Sequence, residues 1–224
     1  MKILFDFDGT LNVSEATYMP AFRSTVRWLD QQGIALAEDM DDAQIGYWIG
    51  YDSKTLWKRL LAGCEEELRS ECAAKMRSET IELAREGHAR MYPHAEEALA
   101  ALKAAGHSLI MLSNCSVAYM DAHRQAFSLD RFFSRYCCGE TYGWIPKTQV
   151  FDQLAQELCE GKAGASREFI MVGDRFHDMA VAADHGLASV GCAYGYGTAK
   201  ELAGATKVAQ GPQELLPCIK SIID

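Results

Sequence analysis

The chain has 224 residues, 49% of them hydrophobic, enough to bury a full core in one large domain or one domain with an insert. Its formal net charge of −9 argues against a general nucleic-acid or anionic-membrane binder, which needs basic surface, but leaves room for a phosphorylated small molecule, since a metal and one lysine reverse the sign locally. No apolar run approaches the roughly 20 residues of a membrane span, the N-terminus enters a strand rather than a signal peptide, and eight scattered cysteines without a CxxC pair read as reduced core thiols of a cytoplasmic protein.

Ile3, Leu4 and Phe5 read as a strand covered on both faces, ending in Asp6 and Asp8 and a glycine turn. The strand period of two points both aspartates the same way, which makes either an acid/base pair or a hard-metal site. From about Ser14 to Gly87 the periodicity is helical, with no buried strand. Helices are expected over Ala16–Gln32 (stopped by Gly33), Asp39 towards Tyr47, Ser53–Ala62 and Glu65 to about Arg85.

After Tyr92 strand and helix alternate. Pro93 suits the first turn of a helix that Gly106 ends. Ser108–Ser113 is a buried strand, Val117–Phe127 a helix and Tyr136–Cys138 a short strand. Val150, Leu154 and Leu158 form a helical stripe, Glu168–Val172 is a strand, and an alanine-rich helix from about Asp178 to Asp184 leads to the strand Ala188–Gly191. The fold class is therefore α/β: a doubly wound, Rossmann-like parallel sheet with right-handed crossovers, interrupted after its first strand by an all-helical block. The boundaries are 1–13 and 88–224 for the α/β core and 14–87 for the helical insert.

Parallel strands bring their C-terminal ends to one edge, where an open α/β sheet keeps its ligands. Four polar groups belong there: Asp6 and Asp8, then Ser113 with Asn114, then Lys147, then the run Gly173-Asp174-Arg175-Phe176-His177-Asp178. Arg175 and His177 read as loop wall, and Asp184 and His185 as helix-end residues without chemistry.

These motifs, DxDGT, a strand-ending serine, a lysine and GDxxxD in that order, resemble those of the haloacid dehalogenase superfamily of phosphohydrolases, over essentially the whole chain and with a helical cap of the expected size. The segment departs from the family pattern at Pro146, which precedes Lys147 where family members commonly have proline after the lysine. The resemblance implies that Asp6 attacks phosphorus to form an aspartyl-phosphate, and that Asp8 protonates the leaving oxygen and later takes a proton from water. It also implies that Ser113 and Lys147 hold phosphoryl oxygens, that Mg²⁺ is held by Asp6, the main-chain carbonyl of Asp8, and Asp174, and that Asp178 orients Lys147 or a metal-bound water.

Members of that superfamily that act on haloacids or phosphonates lack the second aspartate, so by this resemblance Asp8 implies phosphate-ester chemistry. The expected activity is Mg-dependent hydrolysis of a small phosphorylated metabolite, of the phosphoglycolate or sugar-phosphate kind, by a monomer or homodimer. A sugar-phosphate mutase of the β-phosphoglucomutase type and a non-catalytic phosphate-binding protein on the same fold are the alternatives. The loop Ile45–Lys54 carries two glycines and three aromatic residues, so Gly50, Tyr51 and Lys54, with Asn114, are the candidate substrate-binding residues, while Tyr47 and Trp48 belong either to the loop's closing surface or to the core of the helical block.

Overall fold

Ile3, Leu4 and Phe5 have no exposed surface because β1 (Lys2–Phe5) lies between β2 (Ser108–Ser113) and β4 (Phe169–Gly173) in the sheet and helices cover both of its faces. The structure, a computed structural model, describes residues 1–36, 39–51, 53–159 and 168–224, without the side chains of Ser53, Lys54 and Cys159. Six parallel strands run in the order β3-β2-β1-β4-β5-β6, with β3 at Phe133–Cys138, β5 at Ala188–Cys192 and β6 at Lys207–Ala209. The order reverses between β1 and β4, so the crevice at the switch point opens beyond Phe5 and Gly173, directly before Asp6 and Asp174.

Alternation along β1 divides the core. Ile3 and Phe5 pack with Leu99 and Leu102 of α5 (Ala95–Ala104), Met120 of α6 (Val117–Phe127) and Leu215 and Ile219 of α9 (Leu215–Ile223). Leu4 faces Val150 and Leu154 of α7 (Lys147–Cys159) and Val181 of α8 (Phe176–His185). Five of the described cysteines, at 72, 115, 137, 138 and 192, are buried free thiols.

Between β1 and α5 lie α1 (Glu15–Asp30), α2 (Asp42–Gly46), α3 (Ser53–Leu60) and α4 (Glu66–Arg85). They share a core of their own in which the Phe22 and Trp57 rings stack at 5.7 Å, with Trp48, Leu56 and Met76 around them. Among the described residues no helix is long and apolar enough to cross a membrane.

Several elements differ from the sequence reading. Helix α2 begins at Asp42, because Asp41 caps it by accepting from the Gln44 N–H at 2.8 Å. Pro93 precedes α5 rather than entering it, since the intervening His94 takes a left-handed conformation (φ 67°). Strand β3 starts at Phe133, three residues early; its exposed Ser134 and half-buried Arg135 interrupt the apolar run that marks a buried strand. Helix α8 starts two residues early, at Phe176. Strand β6 and helix α9 went unread, the one being only three residues long and the other carrying Pro217 in its first turn.

Candidate active site

The four strand-tip groups meet in the crevice. Lys147, the first residue of α7, is 5% exposed, and its Nζ donates to Asp6 Oδ1 and to Asp178 Oδ1, each at 2.7 Å. Asp178 Oδ2 accepts the Arg175 N–H at 3.0 Å, so both of its oxygens are engaged. Asp174, fully buried, takes the Tyr196 N–H on Oδ2 at 2.7 Å and the Thr10 hydroxyl on Oδ1 at 3.5 Å.

Carboxylate oxygens of Asp6, Asp174 and Asp178 lie within 4.8 Å of one another. Three buried carboxylates face a single ammonium there, and the imbalance shows in their protonation. Burial, then the Asp178 charge, raises the Asp6 carboxyl to about 7, although Lys147 pulls it down. Burial, then Asp6 and Asp178, pushes Asp174 well above the usual carboxylate range. Burial works to lower Lys147, but the two carboxylates outweigh it and keep the ammonium charged.

This donor set fits a hard divalent cation. It offers oxygen only, it carries an excess of negative charge, and it is buried. Asp178 has close donors on both oxygens, at 2.7 and 3.0 Å, whereas Asp6 is engaged only through Oδ1 among the described residues and Asp174 Oδ1 takes only the long 3.5 Å contact from Thr10, so Asp6 and Asp174 keep the most capacity for an ion. The carboxylate of Asp8 lies outside the cluster.

Asp8 is instead held by three donors on one oxygen. Tyr119 Oη donates to Oδ1 at 2.6 Å, Ser14 Oγ at 2.5 Å and Asn12 Nδ2 at 3.0 Å. Burial, then the neighbouring Asp8 charge, raises the Tyr119 phenol well above its ordinary range, so it stays a donor. The three side chains fix Asp8 while Oδ2 has no donor among the described residues.

Glycines bring the backbone close to this centre. A Cβ on Gly197 would stand 1.7 Å from the Asp174 carbonyl oxygen, and one on Gly195 would stand 2.4 Å from both Asp174 Cβ and the Gly9 carbonyl oxygen. The Gly195-Tyr196-Gly197 turn therefore packs on Asp174 and supplies its main-chain donor.

Asp6, Asp8, Ser113, Asn114, Lys147, Gly50 and Tyr51 all line one cleft of about 470 Å³ between the strand tips and the helical block. Lys54 lies outside the residues whose side chains are described. Trp48 is buried in the core of the block and Tyr47 is exposed, and neither lines the cleft. Ser116 caps α6, accepting from the Tyr119 N–H at 3.3 Å, while Ser113 lines the cleft.

Arg175 is more than loop wall. It is 2% exposed, donates from Nη1 to the carbonyls of Ile49 (2.7 Å) and Tyr47 (3.3 Å), pairs through Nε with Glu201 (2.9 Å), and lies 4.9 Å from the Tyr51 ring centre. Sequence reasoning also missed Asn12, Ser14, Tyr119 and Tyr196. Ser14, six residues after Asp8, and the two glycines around Tyr196 were the available signals; nothing local marks Tyr119, more than a hundred residues away from Asp8.

On the far wall Trp144 lines the same cleft in a left-handed conformation (φ 62°). Such a conformation costs a bulky residue about 1–3 kcal/mol.

A lysine bridging buried carboxylates at the switch point of a parallel sheet, at the floor of a cleft, is the ligand-site arrangement of a doubly wound α/β enzyme. The profile of the haloacid dehalogenase-like hydrolases matches residues 3–186, and the chain belongs to that family. It is a phosphatase of that family. It is 23% identical over 207 residues to a phosphoglycolate phosphatase of Psychrobacter arcticus, covering 89% of this chain and 86% of that one. A 5'-nucleotidase of Pseudomonas aeruginosa is 27% identical over 201 residues, 90% of this chain and 86% of that one. In fold it matches a predicted phosphoglycolate phosphatase of Haemophilus somnus with a TM-score of 0.81, at 22% identity and 97% and 96% coverage.

Proposed function

We propose that this protein hydrolyses a small phosphate monoester through an aspartyl-phosphate on Asp6, with Mg²⁺ as cofactor. The observation that carries the reading is the placement of Asp6. It is a buried carboxylate at the cleft floor, tied through Oδ1 to Lys147, beside an Asp8 held by three donors.

In the first half-reaction an Asp6 carboxylate oxygen attacks phosphorus, and the bond from phosphorus to the ester oxygen breaks. Asp8 donates its proton to that oxygen, so the alcohol departs neutral. In the second half, Asp8 takes a proton from a water that attacks the phosphorus of the acyl phosphate, which releases inorganic phosphate and regenerates the Asp6 carboxylate. Tyr119, Ser14 and Asn12 keep Asp8 oriented through both proton transfers. Lys147 and the Ser113 hydroxyl stabilise the phosphoryl oxygens as their charge redistributes. Asp6, Asp174 and the main-chain carbonyl of Asp8 would hold Mg²⁺, which when bound would supply the positive charge that lets an anionic ester approach an anionic nucleophile.

Residues 14–87 act in this reading as a cap over a core formed by 1–13 and 88–224, with Gly50 and Tyr51 presented to the leaving group. The protein works in the cytoplasm, as a monomer or homodimer, on a phosphorylated metabolite of the phosphoglycolate or sugar-phosphate kind. The names of two aligned relatives, phosphoglycolate phosphatases of Psychrobacter arcticus and Agrobacterium fabrum, support the phosphoglycolate end of that range.

Phosphate release from p-nitrophenyl phosphate, with Mg²⁺ and after chelation, tests the reading together with Asp6→Asn. Activity is expected to need the metal, and Asp6→Asn to lower kcat by at least about three orders of magnitude while circular dichroism stays native. Turnover that survives either change overturns it.

A further inference from the structure

Three residues before Lys147, the chain makes a turn that seats a tryptophan. Gly143 (φ 67°) and Trp144 (φ 62°) are consecutive left-handed residues, and the Trp144 N–H donates to the Gly139 carbonyl at 2.8 Å. Glycine is the residue at home in that conformation, and a tryptophan there is a genuine outlier. Gly139 also leaves the space in which the ring rests. A Cβ there would lie 3.3 Å from Trp144 Cε3 and 3.4 Å from Asn114 Cα. The indole thus sits beside the tip of β2, where Ser113 and Asn114 line the cleft.

Core packing does not account for this placement. Trp144 is 48% exposed, and no aromatic ring of the described residues packs on it. Tyr51, another aromatic residue of the same cleft, is by contrast surrounded by the rings of Tyr47, Trp48, Phe176 and His177. Ile49, Met76 and Ile145 give the cleft apolar walls, and its volume of about 470 Å³ is generous for a two-carbon acid. A strained, exposed indole lining a partly apolar cleft is a surface held ready for a ring.

Resting on the phosphatase reading above, we propose that Trp144 is the specificity-determining residue of the cleft. The ring of the leaving alcohol packs on its indole face, so esters of ring-bearing alcohols are preferred over acyclic ones such as phosphoglycolate. The chemistry shared by the candidate substrates is a ring that can lie over an indole, through the C–H face of a cyclic sugar or the planar face of a nucleoside's base.

The test compares kcat/KM of the wild type, Trp144→Ala and Trp144→Phe on four compounds: acetyl phosphate, phosphoglycolate, a hexose 6-phosphate and a nucleoside 5'-monophosphate. The wild type is expected to favour a ring-bearing ester over phosphoglycolate. Trp144→Ala should lower kcat/KM for that ester about tenfold more than for acetyl phosphate, chiefly through KM, and Trp144→Phe should recover most of the loss. The ring-bearing ester with the larger differential loss tells sugar from nucleoside. Equal losses on all four compounds mean that Trp144 only supports the Lys147 turn, and they overturn the proposal. So does equal activity of all three proteins, or a wild type that favours phosphoglycolate over both ring-bearing esters. Failure to hydrolyse even acetyl phosphate with Mg²⁺ sinks the phosphatase reading itself, a result distinct from hydrolysis without ring preference.

Discussion

The Arg175 guanidinium donates to the main-chain carbonyl of Ile49 at 2.7 Å, tying the tip of β4 to the loop between α2 and α3. The same side chain pairs with Glu201 and lies under Tyr51, so one residue next to Asp174 sets where the cleft wall stands. Removing it takes the guanidinium donor from the Ile49 and Tyr47 carbonyls and from Glu201, which keeps the Phe176 N–H. Arg175→Met is expected to raise KM about tenfold with a smaller change in kcat, and to destabilise the fold by about 2–4 kcal/mol. Steady-state kinetics and urea denaturation read the two effects, and Arg175→Lys, lacking the planar fork, restores neither.

Lys147 is the only cation between Asp6 and Asp178 within the buried cluster of described residues. Lys147→Met leaves two buried carboxylates facing each other, which should cost about 3–5 kcal/mol in metal-free protein. Denaturation midpoints measured with and without Mg²⁺ check this: the metal should recover part of the stability and none of the activity.

Tyr119→Phe removes one of three donors to Asp8 and no apolar contact. A drop in kcat of about tenfold at nearly constant KM is expected, with Ser14→Ala acting in the same direction. A pure KM effect would show that the tyrosine serves the cleft wall instead.

Stability should depend on pH with an unusual sign. The metal-free fold holds the Asp6 carboxyl at about 7, above its unfolded value of 3.8, and Asp174 is shifted the same way. Between those two values the folded state binds more protons than the unfolded one, so these groups lower stability as pH rises from about 4 to 7. A cation needs the ionised carboxylates, so Mg²⁺ should raise the melting temperature more at pH 8 than at pH 5.5. Scanning calorimetry of metal-free and Mg-loaded protein at both values decides it.

Gly195→Ala places a methyl group 2.4 Å from Asp174 Cβ and from the Gly9 carbonyl oxygen. Asp174 must move, and the Mg²⁺ concentration for half-maximal activity should rise at least about tenfold.

Much of this architecture was legible in the chain because parallel sheets leave a strong local mark. Ile3–Phe5, Leu109–Leu112 and Phe169–Val172 are continuous apolar runs, and each ends in the polar residues that meet at the crevice. Lys147 was locatable from its place among the motifs. What escaped was made by contacts across the chain. Tyr119 is 111 residues from Asp8, and Arg175 reaches a carbonyl 126 residues away, partnerships that no local spacing encodes. The edge strand β6 and the polar half of β3 escaped for the opposite reason, since half-exposed strands lack the apolar run.

The claim on which the rest depends is that phosphate passes through Asp6. Rapid acid quench of the enzyme turning over acetyl phosphate with Mg²⁺, followed by peptide mass spectrometry, measures this directly. A phosphoryl group on the N-terminal peptide at Asp6, absent from Asp6→Asn, is the predicted result; a phosphoryl group on any other residue contradicts it.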